Sequence, residues 1–533
     1  MGSAARPCAW TLGVLTALAV VATASAQVPI GQAPVKSELP PPRITAMSSA
    51  PPVMAIGWDD VVATSEVNAT TQIGSAGPGP LHDKVYRELR QFDPEYPRWQ
   101  LWGGGSKDPN LGNAEVLPPA NGVSHWDFSR IDPGFVEFVN TVQGHQYLVD
   151  LEVTPDWMYV PNSAIAESTL GPLARVHTRR QLAVTPEVFG DYYARVVSWW
   201  EKGGFTDEYG KWHPSGHHFK IPYWEVLNER NMAGESPAEY TRLYDATVLA
   251  IRKIDPDMQF VGLALAHAWE YPQYITYFLN PKNHAPGVPL NAISLHFYAK
   301  YGPDDPPAVQ VATTFDQAIK FINTIQYVNS IRDLLSPATR IMVDELGTII
   351  GTEAPQVPWP KDRRADVPFH IRLNAAMYGF LYGNMAPLGV ESAGQSSFGV
   401  GSASGGRVGA YVADPLLTSE ALPNARFKVA KLLMTEFPPG SRVVASYTGV
   451  GIWRNPFPIY VEPYVTPDGT RKVLIVNERD VPYAAVIPDA KGARIHYVAG
   501  DMASAMYKER VAGSDTVTVS GLEVAILTMP SQH

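Results

Sequence analysis

The sequence predicts an α/β protein: a (β/α)8 barrel of the TIM type followed by a C-terminal β-sandwich. Three observations lead there. Short apolar runs alternate with helical patterns up to about residue 400, the signature of βαβ units. Several of those runs end in acidic or amide residues, as strands do on the catalytic face of such a barrel. Beyond residue 440 the texture changes to short strands punctuated by turns. A chain of 533 residues with 45% hydrophobic content is long and apolar enough for this architecture and is not a disordered one.

The elements can be justified in order. Residues 1–26 read as a secretory signal: Arg6, an apolar stretch over 9–22, then the small residues Ala24, Ser25 and Ala26. The apolar stretch is shorter than the roughly 20 residues of a comfortable membrane span. The mature protein is therefore expected in the secreted or periplasmic space, with no membrane attachment after cleavage. Residues 27–52 are rich in Pro, Ser and Ala and read as a leader or linker. Residues 53–435 are assigned to the barrel, with the first strand expected near 53–57; the β-like stretch 53–70 fits the β domain as an alternative. Seven further strands are expected at 98–102, 147–151, 224–227, 260–264, 292–296, 341–345 and 389–392. Helices are expected over 186–202, ending at Gly203–Gly204, and over 237–254. In the second, Ser236 is the N-cap, Pro237 the first helical residue and Glu239 the reciprocal partner of a capping box. A last helix near 424–433 precedes the β-sandwich, assigned to 436–533, in which Pro467-Asp468-Gly469 is a turn.

Charge and composition narrow the function. With 42 Lys+Arg against 52 Asp+Glu, the net charge of −10 argues against a nucleic-acid partner and a polybasic membrane dock. The 13 Trp and 25 Tyr suit sugar binding, because aromatic rings offer flat apolar faces with polar tips. The one cysteine, Cys8, lies in the signal, so the mature chain has no disulfide, thiolate zinc site or cysteine nucleophile.

The chemistry gathers at two strand ends. Asn228-Glu229 closes the fourth expected strand and Glu345 the seventh. Two carboxyls facing each other across one cleft are what retaining glycoside hydrolysis needs. One donates a proton to the leaving oxygen; the other, ionised and about 5–5.5 Å away, attacks the anomeric carbon. Each anion raises the other's pKa, so one fold can hold an acid and a base at one pH. No organic cofactor and no metal is called for: His217-His218 lacks a third ligand and an HExxH pattern. There is no phosphate loop and no G-x-S-x-G elbow, and the glycines at 399, 401 and 405 have the wrong spacing for a dinucleotide. Asn68-Ala69-Thr70 has the form of a glycosylation acceptor.

The run Trp224-Glu225-Val226-Leu227-Asn228-Glu229 resembles the acid/base strand of the superfamily of retaining (β/α)8 glycoside hydrolases, clan A. Val343-Asp344-Glu345-Leu346-Gly347-Thr348 is similar to its nucleophile strand, and His296-Phe297-Tyr298 to its sixth strand. Leu151-Glu152-Val153-Thr154-Pro155 and the C-terminal β domain point, within that clan, to family 39. The resemblance implies Glu229 as acid/base and Glu345 as nucleophile. It also implies Asn228 on the sugar 2-hydroxyl, Tyr298 as a donor to Glu345, and His296 lining the site near the acid/base. Arg230 stands where Pro is common and Leu227 where Trp is frequent, which bears on subfamily and substrate.

Other residues are read from position alone. Arg98, at the second strand, would orient the nucleophile or form a structural salt bridge. Trp157, in a Pro-rich loop, would stack on a sugar or pack in the core. Glu225 should face the barrel interior or pair with a basic residue, whereas Asp344, alternating with Glu345, should point away. Glu391 and Gln395 are candidate substrate contacts. The expected partner is an oligosaccharide or polysaccharide of plant or microbial origin. Two alternatives stand beside the glycosidase: a non-catalytic glycan-binding protein on the same scaffold, and a β-glucuronidase-type enzyme with a basic pocket for a carboxylated sugar. Sugar and linkage would be set by the loops near 103–125, 155–180, 298–310 and 350–368.

Overall fold

The computed structural model describes residues 50–74, 81–100, 113–161, 181–302, 305–350, 367–396, 398–399, 415–418, 420–447, 457–500 and 505–531. The expected signal, nearly all of the leader, most of the glycine pattern at 399–405, and parts of the four specificity loops lie outside these residues.

Eight parallel strands close the barrel: β2 (Asn68–Gly74), β3 (Arg98–Gln100), β4 (Leu148–Leu151), β7 (Tyr223–Val226), β8 (Gln259–Ala266), β9 (Ala292–Tyr301), β10 (Arg340–Ile350) and β11 (Val390–Gln395). They follow one another around the barrel in chain order, β11 pairing with β2. The runs carrying Glu229 and Glu345 are thus the fourth and seventh strands. A short antiparallel pair, β5 (Gly204–Thr206) and β6 (Trp212–Pro214), lies between the third and fourth.

Around the barrel run α1 (His82–Phe92), α2 (Asp132–Thr141), α3 (Pro186–Glu201), α4 (Pro237–Arg252), α5 (Pro272–Phe278), α6 (Pro307–Leu335), α7 (Val367–Met385) and α8 (Ala425–Glu436). The capping box of α4 forms as its residues dictate: Ser236 Oγ accepts from Glu239 N–H, and Glu239 accepts from Ser236 N–H. Aromatic side chains fill the helix–barrel interface, with Trp200 stacked on Phe135 and lying against Trp224.

The first expected barrel strand is corrected. β1 (Ala55–Thr64) pairs antiparallel with β12 (Arg442–Tyr447), and the barrel opens instead with β2. Most of β1 is exposed or half-exposed, which suits the edge of a half-solvated antiparallel sheet rather than a barrel strand covered on both faces. Residues 55–64 therefore belong to the β domain, and the chain enters the barrel at β2. That domain holds a seven-stranded sheet of β1, β12, β13 (Ile459–Val465), β14 (Arg471–Asn477), β19 (Val524–Thr528), β16 (Arg494–Val498) and β17 (Lys508–Val511), in that order. A second sheet, β15 (Tyr483–Val486) with β18 (Thr516–Val519), shares its core, where Ile475 and Leu527 meet Ala485 and Val517. The expected turn joins β13 to β14, with Gly469 at φ +84°. Val486 N–H bonds to Pro52 carbonyl, so the end of the stretch read as a leader is tied to this domain. Asn68 of the acceptor triplet begins a barrel strand, and its amide donates to the carbonyls of Glu66 and Glu391.

Candidate active site

The barrel interior is layered. Near the strand N-termini, Leu148, Tyr223, Val261, Ala292 and Met342 form an apolar floor. Side chains two residues further along point the same way. There the barrel is polar, with Asp150, Glu225, Ser294 and Asp344 all buried.

Arg98 organises this layer. It is 1% exposed and all five of its N–H groups have acceptors. Nε donates to Glu225 at 2.5 Å and lies 3.1 Å from Asp344. One terminal nitrogen reaches Gln72 and Glu345, each at 2.6 Å; the other reaches Asn228 at 2.8 Å and Asp150 at 3.3 Å. Burial opposes its charge, but Glu225, Asp344, Asp150 and Glu345 raise its pKa well above the usual value.

Two backbone irregularities aim the carboxyls. In β10, Asp344 is an extra residue relative to β9: Val343 pairs with Leu295 and Glu345 with His296. This bulge breaks the period of two, so consecutive side chains both reach the interior. The expectation that Asp344 points away is therefore wrong. It meets Arg98 and, at 3.3 Å, His296 Nε2. In β8 a second irregularity falls between Gly262 and Leu265, with Leu263 and Ala264 at φ 76° and 40°. It presents the Ala264 carbonyl to Glu229 N–H at 3.0 Å. Leu227 and Glu229 themselves adopt φ 65° and 47°, an uncommon conformation for residues with a Cβ, held here by these contacts.

The two glutamates face each other. One carboxylate oxygen of each, together with a ring nitrogen of His296, lies within 4.8 Å of the other two. Glu345 accepts from Tyr298 hydroxyl at 2.6 Å, Arg98 at 2.6 Å and Gln100 at 3.0 Å. Three converging donors are the setting an anionic nucleophile needs. His296 Nδ1 is 2.7 Å from Glu229 and 3.6 Å from Glu345. Burial works against protonating His296, but Glu345 and Asp344 overcome it and raise its pKa well above the usual value. Asp344 is likewise opposed by burial, yet Arg98 and His296 hold it down at about 2. Set among Glu229, Glu345 and Asp344, His296 is placed to donate to the carboxyls around it.

Burial has the opposite effect on the remaining acids. It lifts Asp150 to about 7 and Glu225 and Glu152 well above the carboxylic range, Arg98 only partly offsetting it. These groups thus hold their protons more tightly than Asp344 does.

Of the residues singled out from sequence, Arg98, Asn228, Glu229, His296, Tyr298 and Glu345 come together through these bonds. Trp157 does not join them in this network: its indole N–H donates to the Glu115 carbonyl at 3.0 Å. Glu225 pairs with Arg98. Glu391 sits at the opposite end of the barrel, bonded to Tyr96 at 2.7 Å and Arg340 at 3.0 Å, and so is not a substrate contact; Gln395, at the C-terminal end of its strand, is buried and bonded to Arg426. His217 lies in the loop after β6, half-buried and tied to Asp132 at 2.8 Å. Sequence reasoning missed Gln72, Gln100, Asp150 and Glu152. For Gln100, Asp150 and Glu152 the signal was present, a polar residue inside or just after an otherwise apolar run; Gln72 sits among Asn and Thr and gave none.

The class so defined is a closed (β/α)8 barrel with a β-sandwich and a buried carboxyl cluster at the C-terminal ends of its strands. No family model matches the chain, and no curated protein matches it at the sequence level. Solved structures do match in fold. A thermostable GH51 α-L-arabinofuranosidase from Thermotoga petrophila RKU-1 aligns with a TM-score of 0.55 at 11% identity, over 90% of this chain and 100% of its own. The catalytic domain of GH30 xylanase C from Talaromyces cellulolyticus gives 0.53 at 10% identity, over 90% and 100%. A glucosidase from Croceicoccus marinus gives 0.52 at 14% identity, over 90% and 100%. Identities this low carry the fold. No helix among the described residues is long and apolar enough to cross a membrane.

Proposed function

We propose that this protein is a secreted retaining glycoside hydrolase. The reading rests above all on the separation of Glu229 and Glu345, whose oxygens lie within 4.8 Å. With one oxygen of each that close, the pair is nearer the roughly 5–5.5 Å of retaining enzymes than the about 6.5–9.5 Å that lets an inverting enzyme place a water between its carboxyls. Glu345, aimed by Tyr298, Arg98 and Gln100, attacks the anomeric carbon. Glu229 gives its proton to the leaving oxygen, and the carboxylate left behind is met by His296. Glu229 then takes a proton from water, which releases the sugar from Glu345.

Support for a glycan substrate comes from the sequence motifs and from the arabinofuranosidase, xylanase and glucosidase that share the fold. The finer assignment to family 39 rests on the motifs alone. Secretion rests on residues 1–26 and on likeness to a conserved exported protein from Bacteroides fragilis, at 11% identity and a TM-score of 0.56 over 89% of this chain and 99% of that one. The glucuronidase alternative would need a cation for a sugar carboxylate; among the described residues Arg98 and His296 are engaged by acids, and Lys300, 3.3 Å from His267, is the cation left for that role.

A panel of aryl α- and β-glycosides (xyloside, arabinoside, glucoside, galactoside, glucuronide) tests the proposal with wild type, Glu345→Ala and Glu229→Gln. We expect turnover of at least one by wild type and its loss in Glu345→Ala. Wild-type turnover by that variant would refute the assignment, and sugar binding without turnover would favour the non-catalytic alternative.

A further inference from the structure

The acid least accounted for by this chemistry is Glu152. It follows β4 directly and lies two residues beyond Asp150, on the same interior face. It is 6% exposed. Its Oε1 accepts from Asn228 Nδ2 at 3.3 Å, while its Oε2 is buried with no hydrogen-bond partner among the described residues. Arg98 cannot serve it, because every N–H of that guanidinium is committed elsewhere.

We propose that Glu152 is a specificity-determining residue of the sugar site, its carboxylic O–H donating from Oε2 to a hydroxyl beside the one that Asn228 reaches. The inference rests on the glycosidase reading. Its physical basis is the crowding of acids. Glu152 shares the interior with Asp150, Glu345 and Glu229, and burial together with those neighbours raises its pKa, Arg98 opposing. A carboxyl so placed holds its proton more tightly than a free one, and the protonated form has an O–H to give. The fold leaves that donor unpaired in a buried place, which is costly unless a ligand oxygen completes the bond. The same residue turns the Asn228 amide: Arg98 donates to its oxygen, and Glu152 accepts from its nitrogen. Glu152 and Asn228 thus hold their polar atoms side by side, on the Arg98 guanidinium that also binds Glu345.

The experiment compares kcat/KM of wild type, Glu152→Ala and Glu152→Gln on the glycoside that wild type hydrolyses and on its 2-deoxy and 3-deoxy analogues. Glu345→Ala is the control. We expect Glu152→Ala to lose about tenfold or more on the parent glycoside. That loss should largely vanish on the analogue lacking the contacted hydroxyl, a substrate dependence that a purely structural role would not produce. Glu152→Gln, which keeps a donor and an acceptor, should stay within a few-fold of wild type. Glu152→Ser is a second truncation if the alanine variant does not fold. An equal loss on all three substrates, or no loss on the parent, overturns the inference while Glu345→Ala remains silent and the glycosidase reading stands. Turnover by Glu345→Ala, or no wild-type turnover at all, overturns both.

Discussion

Replacing Arg98 by lysine keeps the charge and removes the fork. The guanidinium spreads five N–H donors over Gln72, Asp150, Glu225, Asn228 and Glu345; an ammonium has three, set at one point. At least two bonds to charged or buried partners are lost. At about 1.5–3 kcal/mol for each bond to a charged group, the deficit is about 3–6 kcal/mol. That is a large part of the roughly 5–15 kcal/mol by which folded domains are stable. We expect Tm to fall on the order of 10 °C, given roughly 2–4 °C per kcal/mol for a large domain. Activity should fall as well, because Glu345 loses a 2.6 Å donor, with kcat/KM lower by about 10–100-fold. Thermal unfolding followed by circular dichroism and steady-state kinetics on the same preparation measure both. A lysine variant with wild-type Tm and wild-type kcat/KM would refute the view that the fork, and not the charge alone, holds the site together.

Tyr298→Phe removes one hydroxyl, the 2.6 Å donor to Glu345, and leaves the ring. Steady-state kinetics should show kcat/KM reduced about 10–100-fold, with Tm nearly unchanged; a large fall in Tm would mean that the hydroxyl serves folding instead. Glu201→Gln tests the effect of burial away from the site. Glu201 closes α3, accepts from the Trp224 indole at 2.9 Å and is lifted by burial to about 7, that bond opposing. The folded state therefore holds its proton more tightly than the unfolded one, and wild type loses stability as pH rises from about 4.5 through 7. Glutamine does not titrate, so the Tm of the variant relative to wild type should climb between pH 4.5 and 8. A constant difference across that range would count against the assignment.

Much of this was legible in one dimension. The runs at 98, 148, 224, 260, 292, 341 and 390 read as strands because buried parallel strands are continuous apolar segments. The first barrel strand did not, because β2 (Asn68–Gly74) is built from Asn, Thr and Gln, and the sequence before it is the more strand-like. Strands β13 and β17 are the least strand-like in the β domain for a related reason: Pro463 interrupts one, and charge dominates the other. The acids at strand ends marked Glu229 and Glu345. Glu391 looked similar and proved to be at the other end of the barrel, since a residue at the start of a strand cannot share the catalytic face with one at the end of its neighbour.

The sequence by itself determined what local physics can decide: the alternation of strands and helices, the cap at Ser236, and the two glutamates carried by the runs of the fourth and seventh strands. Tertiary structure decided which sheet β1 joins, because an edge strand is chosen by its partner and not by its own pattern. It also decided that Asp344 turns inward with Glu345, because a bulge exists only in relation to the register of the neighbouring strand. It set which acids keep their protons, because that depends on burial and on one guanidinium from Arg98, 247 residues away from Glu345 along the chain.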